Sequence, residues 1–534
     1  MNLFARLINR FRRELNLVRN QIRVHSIIRQ IQKTGKEPNH QPVLFFNAST
    51  RLSGLSQNAG FSLITSLALQ AAGIPVYYLV CKQGLSKCVL GTDRDNPQIK
   101  PPCAECWRTS KKIFPAQKMR FFSFKCPDGV YEQIKSLGLN DLLNFQYEEM
   151  PVGGIILPSL RWILRRHHLE DNENIRALTR EYILSACQLM DHAQKVIDEL
   201  NPQAIIVFNG LFYPEAVVRW VGRRNSIKVI SHEVGMLPFS AFFTEKEATA
   251  YPVNISDDFS LSEIQNARLD RYIESRISGD FVTAGIKFWP EMKKLDDDFL
   301  KDINRYKYLV PIFTNVIFDT SQGHANLYFE HMFEWLDSLV EQIRLHAETL
   351  FVIRSHPDEL REGKESQETV AAWVTEKGIE SLDNVRFIPS NQYISSYDLI
   401  KRAKFVMVYN STVGLEASIL GKPVLCAGKA RYTQIPTVYF PKSKQEYCKM
   451  VGDFLNQDVI EQPLEFIDNA RRMLFCQLFG ASLPFAQFLE DDGVWRGYVR
   501  IKNFDYKYLG PENSPTTRVL INGILNNQPF IMTK

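Results

Sequence analysis

The sequence has no internal repeat and no low-complexity tract, which excludes solenoid arrays and long disordered segments. It also lacks a secretory pattern, because Arg10, Arg12 and Arg13 interrupt the apolar positions near its start. Only residues 52–81 form a long uncharged stretch. Gln57, Asn58, Gln70, Gly73 and Pro75 divide it into a loop, a helix over 61–72 and a strand over 76–80, so it does not read as a membrane span. Acid is almost missing from the first 33 residues, where Glu14 stands alone against eight Arg or Lys. That tail exceeds the whole chain's net charge of +5, so the remainder is close to neutral. No basic pattern with interleaved aromatics appears elsewhere, which argues against a nucleic-acid partner.

What is present is globular. Hydrophobic residues make up 45% and charged residues 23% of 534, too long a chain for one core, so two domains with extensions are expected. Residues 1–37 read as a basic amphipathic helix: Leu3, Phe4, Leu7, Ile8, Phe11, Leu15, Leu17 and Val18 recur near helical spacing among the arginines. Such a helix suits either an anionic membrane, met through residues 1–33, or the protein's own surface. The chain is therefore expected in the cytoplasm, peripheral on the inner face of the cytoplasmic membrane.

Residues 38–290 open as a βαβ unit, with a strand over 42–46, then turn irregular and cysteine-bearing over 82–153. A charged helical pattern covers 169–200. Strands over 204–208 and 228–231 follow, the second ending at His232-Glu233-Val234-Gly235. A second alternation fills 305–455, with strands over 308–313, 350–354, 385–388, 404–409 and 424–427. Residues 456–534 are expected to be a helical extension crossing back onto the first domain. The fold class is α/β, two doubly wound Rossmann-like domains facing a central cleft.

Polar clusters fall where these strands stop. Thr314-Asn315 ends one, and Arg354-Ser355-His356-Pro357 ends another, where Pro357 forces the chain away from the strand. Asn410-Ser411-Thr412 ends a third and opens a helix that Ser411 or Thr412 can cap, with Glu416 one turn in. Arg354 and His356 suit a phosphate, Ser411 and Thr412 suit an anion at a helix start, and Glu416 suits sugar or ribose hydroxyls. An ordinary capped helix and a structural histidine are the plainer readings of the same residues.

Four of nine cysteines, Cys81, Cys88, Cys103 and Cys106, are spaced C-x6-C-x14-C-x2-C. Four thiolates suit zinc, but the first pair is wider than the usual loop, so a structural zinc site, an iron–sulfur cluster and free or redox thiols all stay open. The irregular, Pro-containing loop points to a staple and not to a catalytic metal.

The residues Asn384-Val-Arg-Phe-Ile388, Tyr397-Asp-Leu-Ile400, Asn410-Ser-Thr-Val-Gly-Leu-Glu416 and Gly421-Lys-Pro-Val424, with His356-Pro357, resemble the capsule polysaccharide biosynthesis family, bacterial glycosyltransferases of GT-B type. The resemblance covers about residues 309–439 and is weak in the first half. It implies a nucleotide-sugar donor in the second domain, a glycan or lipid-linked acceptor in the first, and no cofactor for catalysis. His356-Pro357 with Ser411-Thr412 resembles the nucleotide site of transferases using CMP-linked acid sugars such as CMP-Kdo, with a UDP-sugar as the alternative. Asn410, Thr314 and Asn315 become donor contacts. Glu233, near Gly235, becomes the candidate general base, with His232 second, or Glu233 a nucleophile if configuration is retained. A nucleotide-sugar 2-epimerase and a non-catalytic scaffold of polysaccharide assembly remain the rival readings.

Overall fold

In the computed structural model, which describes residues 3–33, 40–48, 50–52, 54–277 and 293–532, two sheets carry the chain. The first contains β1 (Val43–Phe46), β2 (Val76–Cys81), β3 (Met119–Phe122), β4 (Ala204–Phe208), β5 (Lys228–Val234) and β6 (Ser240–Thr244). The second contains β7 (Tyr308–Phe313), β8 (Thr349–Arg354), β9 (Val385–Ile388), β10 (Val406–Val408) and β11 (Val424–Cys426). A late strand, β12 (Leu483–Pro484), joins the first sheet, whose order is β12-β6-β5-β4-β1-β2-β3. The second sheet is all parallel with order β11-β10-β7-β8-β9.

Both faces of each sheet are covered, which is why the strands read as unbroken apolar runs. Leu44 and Phe46 enter one core of the first domain, while Val43 and Phe45 enter the other. Val310 and Ile312 face one core of the second domain, and Phe313 the opposite one. The strand order reverses between β1 and β4 in the first sheet and between β7 and β10 in the second. At such points the loops leave in opposite directions and open a crevice beyond the strands' carboxyl ends.

Several elements differ from the sequence reading. β5 runs through Val234 because β6 folds back on it, pairing His232 with Phe243 and Glu233 with Phe242. His232 and Glu233 are thus inside a strand and point to opposite faces. The stretch expected to be irregular contributes β3 at the sheet edge. The C-terminal extension is only partly helical: Leu464–Phe475 packs in the second domain, β12 pairs antiparallel with β6, a hairpin joins Leu489–Asp491 to Val499–Ile501, and Pro515–Asn526 packs on the first domain. Helix Glu263–Ile277, expected with the first domain, buries Leu269 in the second. Residues 1–2 and 34–37 of the expected N-terminal helix and 278–292 of the connection lie outside the described residues.

The N-terminal helix, Leu3–Lys33, is packed on its own protein. Leu17, Val24 and Ile27 are buried, Asn16 donates to Asp492 O at 2.8 Å, Asn20 Oδ1 accepts from Ile501 N at 2.9 Å, and Glu14 takes both arms of Arg108 at 2.7 and 2.8 Å. Its far side stays apolar and open, with Leu7 58%, Phe11 71% and Ile22 64% exposed. Among the described residues no helix is long and apolar enough to cross a membrane.

Candidate functional site

The carboxyl ends of β7, β8, β10 and β11 meet the loop after β6 around a cleft of about 790 Å³. At the switch point, Asn315 Nδ2 donates to Asn410 Oδ1, which also accepts from Gln322 Nε2 at 3.3 Å. The two strand ends are zipped together by side-chain amides. Thr314 supports them from below: its N–H and Oγ1 donate to Arg354 O at 3.2 and 3.0 Å, tying β7 to β8.

His356 caps the short turn Pro357–Leu360, its Nδ1 accepting from Asp358 N at 3.1 Å. A neutral ring with Nδ1 so used carries its proton on Nε2, a donor for a ligand oxygen. Burial lowers its pKa, while the Asp358 and Asp319 carboxylates act in the opposite sense. Ser411 and Thr412 line the same cleft, but neither side chain caps helix Val413–Ile419. The backbone is held instead by Tyr432, whose hydroxyl donates to Ser411 O at 2.7 Å. Gly414 makes that approach feasible, since a Cβ there would stand 2.4 Å from the Tyr432 hydroxyl oxygen.

Three segments that the sequence did not mark as part of a site complete the walls. The first domain supplies Arg219, Arg223, Lys246, Glu247 and Thr249, and the loop after β11 supplies Lys429, Arg431 and Gln434. Thr249 Oγ1 meets His324 Nε2 at 2.9 Å, Val253 N donates to Gln434 Oε1 at 3.0 Å, and the Arg431 guanidinium lies 4.3 Å from the Tyr251 ring centre. Five cations thus face three carboxylates, Glu247, Asp319 and Asp358, which makes the cleft receptive to an anion. No motif announces these residues; they follow helix and strand ends whose proximity is set by the domain pairing.

Of the residues expected from sequence, Asn315, His356, Asn410, Ser411 and Thr412 line the cleft. Others do not. Glu416 is committed to Arg276 at 2.8 Å and to the Tyr397 hydroxyl at 2.6 Å, because helix Glu263–Ile277 packs across its face. Arg354 is 4% exposed and reaches Ser396, and burial depresses its pKa to about 10. His232 is fully buried between the rings of Phe208 and Phe243, with neither ring nitrogen hydrogen-bonded to any described residue and its pKa pushed down to about 3 by burial. Strand alternation turns it away from the cleft, so it is not a proton acceptor for substrate.

Glu233 sits behind the lip of the first domain. Asn58 donates to Oε1 and Asn209 to Oε2, each at 3.0 Å, and Val234 N adds 2.9 Å to Oε1. Burial raises its pKa, partly offset by these donors, while Asp319 from the second domain raises it further. Asn58 Oδ1 and Asn47 Oδ1 are buried and have no hydrogen-bond partner among the described residues, so each keeps acceptor capacity that those residues do not use.

The four cysteines are not assembled as a metal centre. Cys81 ends β2 and accepts from Gly84 N at 3.2 Å, Cys88 is buried, and Cys103 and Cys106 lie in the first turn of helix Cys103–Ile113. They are near enough to influence one another electrostatically, yet among the described residues no group of three or more His, Cys, Asp or Glu could hold a metal ion. None of the four is in a disulfide, and burial pushes Cys81 up to about 12 and raises Cys103. The residues as arranged do not fit zinc.

No curated protein matches the sequence. Among solved structures, KpsC from Thermosulfurimonas dismutans, a beta Kdo 2,4 transferase, is 11% identical with a TM-score of 0.36, covering 53% of this chain and 80% of that one. Its beta Kdo 2,7 transferase counterpart is 16% identical with a TM-score of 0.33, covering 55% and 81%. The UDP-GlcNAc 2-epimerase from Neisseria meningitidis is 12% identical with a TM-score of 0.23, covering 82% and 99%. Residues 286–436, which carry β7 to β11 and the second-domain wall of the cleft, match the family model for capsule polysaccharide biosynthesis protein.

Proposed function

We propose that the protein is a glycosyltransferase moving a sugar from a nucleotide-sugar to a glycan or glycolipid acceptor. The observation that carries this reading is the cation-rich cleft at the second sheet's switch point, with the His356 Nε2 proton, Ser411 and Thr412 on one wall and Arg219, Arg223 and Lys246 on the other. Glycosyl transfer breaks the bond between the anomeric carbon and the nucleotide phosphate oxygen, and charge accumulates on the departing phosphate. His356, Lys429 and Arg431 would meet that charge. A new bond forms from an acceptor oxygen to the anomeric carbon, and the hydroxyl proton passes to Glu233. Asn58 and Asn209 hold that carboxylate in place, and the raised proton affinity given by burial suits it to the role.

The abundance of cations favours a donor carrying a negative charge on the sugar as well as on the phosphate, such as CMP-Kdo, over a neutral UDP-sugar. The enzyme is further proposed to work on the inner face of the cytoplasmic membrane. Leu7, Phe11, Leu15, Val18 and Ile22 form one exposed stripe on the N-terminal helix, opposite the buried Leu17, Val24 and Ile27, with exposed Arg10, Arg12 and Arg19 around it. An apolar stripe edged by arginines suits an anionic lipid surface.

The test is a donor screen with CMP-Kdo, CMP-sialic acid and common UDP-sugars, reading free nucleotide and thermal stabilisation. Release of nucleotide with transfer to acceptor is expected from a CMP-linked acid sugar. Formation of an epimer without acceptor, or no stabilisation by any nucleotide, would overturn the reading.

A further inference from the structure

Beyond the cleft, where the two domains touch, cations collect around one aromatic plate. Trp162, on helix Val152–Leu164 of the first domain, packs edge-on against Phe212 at 5.0 Å. The Arg94 guanidinium, from the loop after β2, lies 4.4 Å from its ring centre, and Lys364 Nζ, from the second domain, lies 5.6 Å from it. Arg94 also donates to Gly363 O, so the contact crosses the domain boundary. Arg361 completes the group from the same loop as Lys364.

Two of the nearby carboxylates are ion-paired with Arg165, and a third stands by Arg361 within the group. Asp95 and Glu365 hold Arg165 at 2.7 and 3.5 Å, and Asp358 stands 3.9 Å from Arg361. Among the described residues neither Arg94 nor Lys364 makes an ion pair, and the Lys364 ammonium makes no hydrogen bond. Burial, then Arg361 and Arg94, push the Lys364 pKa down to about 8, while Asp319 and Asp358 act the other way. Those two acids line the cleft, which sets Lys364 beside the edge that carries His356. None of the three cations lines the cleft itself, so they are not a second count of the nucleotide contacts.

Arg94 and Lys364 are half-buried cations that make no ion pair among the described residues, which is costly, and a bound oxyanion with several acceptor lone pairs lowers that cost. We propose that Arg94, Arg361 and Lys364 form an anion subsite at the domain boundary that takes a carboxylate or phosphate borne by the acceptor. The inference rests on the transferase reading for the word acceptor, but the site is defined by its own residues. Because it draws on both domains, binding there also favours their apposition.

The test uses the full chain and three probes, methyl glucuronide, glucose 6-phosphate and uncharged methyl glucoside, titrated by ligand-observed NMR, with CMP and UDP titrated separately. The wild type should bind at least one anionic probe about tenfold more tightly than methyl glucoside, and which one it prefers separates a carboxylate from a phosphate. Lys364→Gln and Arg94→Gln should each bring the anionic probe to within threefold of the neutral one while nucleotide affinity stays within twofold, and Lys364→Arg should retain the preference. Equal binding of charged and neutral probes by the wild type, or an undiminished preference in folded Lys364→Gln, overturns the subsite. Failure of CMP and UDP to bind the wild type strikes the transferase reading instead, whatever the anionic probes do.

Discussion

His168 Nε2 of the first domain lies 3.2 Å from His331 Nε2 of the second, and the pair has one consistent set of protons. His331 Nδ1 accepts from Glu334 N at 3.2 Å, so its neutral ring donates through Nε2. His168 then accepts at Nε2 and donates from Nδ1 to Glu368 Oε1 at 2.6 Å. A third ring, His167, lies 5.0 Å from His331, and Arg161 donates to the His167 carbonyl at 3.0 Å. A proton added to either member of the pair breaks one link of this chain.

Acid should therefore loosen the domains. Burial, then Arg161 and His331, lower His167 from 6.5 to about 3; burial, then His168, lower His331, with Glu334, Glu368 and Glu330 opposing. Both rings hold protons better when unfolded, so their stabilising share is complete above pH ~6.5 and is lost as pH falls toward the folded values. Melting temperature should drop from pH 7 to pH 5, and less so in His331→Asn, which keeps a capping side chain but cannot titrate. Parallel curves for the two proteins would refute this.

Glu233→Gln should lower turnover about 10²–10⁴-fold while leaving nucleotide affinity near wild type, because it removes the proton acceptor and keeps the shape. Burial raises the Glu233 pKa, so wild-type activity should climb with pH as that carboxyl ionises, and this limb should vanish in the variant. A pH profile unchanged by Glu233→Gln would assign the base elsewhere.

His356→Ala should weaken nucleotide binding by about 1.5–3 kcal/mol, the worth of a charge-assisted hydrogen bond to phosphate. Calorimetry with CMP and UDP checks it. Loss of turnover at unchanged affinity would instead make His356 a group acting in the transition state.

Glu416 makes the opposite prediction from the one its position in the sequence invites. Removing Arg276 by Arg276→Met leaves a largely buried carboxylate with, among the described residues, only Tyr397, and should cost about 3–5 kcal/mol of stability without a specific effect on nucleotide binding. Chemical denaturation gives the first quantity and calorimetry the second. A stable variant that has lost donor affinity would restore Glu416 to the site.

Phe11→Ser with Ile22→Ser should reduce flotation with vesicles containing phosphatidylglycerol by at least tenfold and leave the fold unchanged, since both side chains are exposed. Equal flotation of the variant would remove the N-terminal helix as the anchor.

Both sheets were legible in the sequence because buried parallel strands give continuous apolar runs, and their polar ends marked Asn315, His356, Asn410, Ser411 and Thr412. Periodicity cannot report what packs against a side chain. Glu416 looked free because the helix carrying Arg276 comes from far upstream, and Arg354 looked like a phosphate ligand although its side chain turns beneath the strand end. His232 and Glu233 were placed after their strand because nothing local shows that Ser240–Thr244 folds back to pair with it. The cations at Arg219, Lys246 and Lys429 lacked any signal, since only the meeting of the domains brings them together. The cysteine spacing was genuine, but spacing alone does not turn four thiols toward one point.

The return of the chain to the first domain through Leu483–Pro484 has a mechanical consequence. Among the described residues the backbone passes between the domains twice, once between Ser240–Thr244 and helix Glu263–Ile277 and again between helix Leu464–Phe475 and the strand paired with Ser240–Thr244. A single proteolytic nick in either passage would leave the halves still joined, and neither half can swivel freely about one tether. Two attachments define a hinge line, and motion about it can widen or narrow the cleft without letting its walls slide out of register.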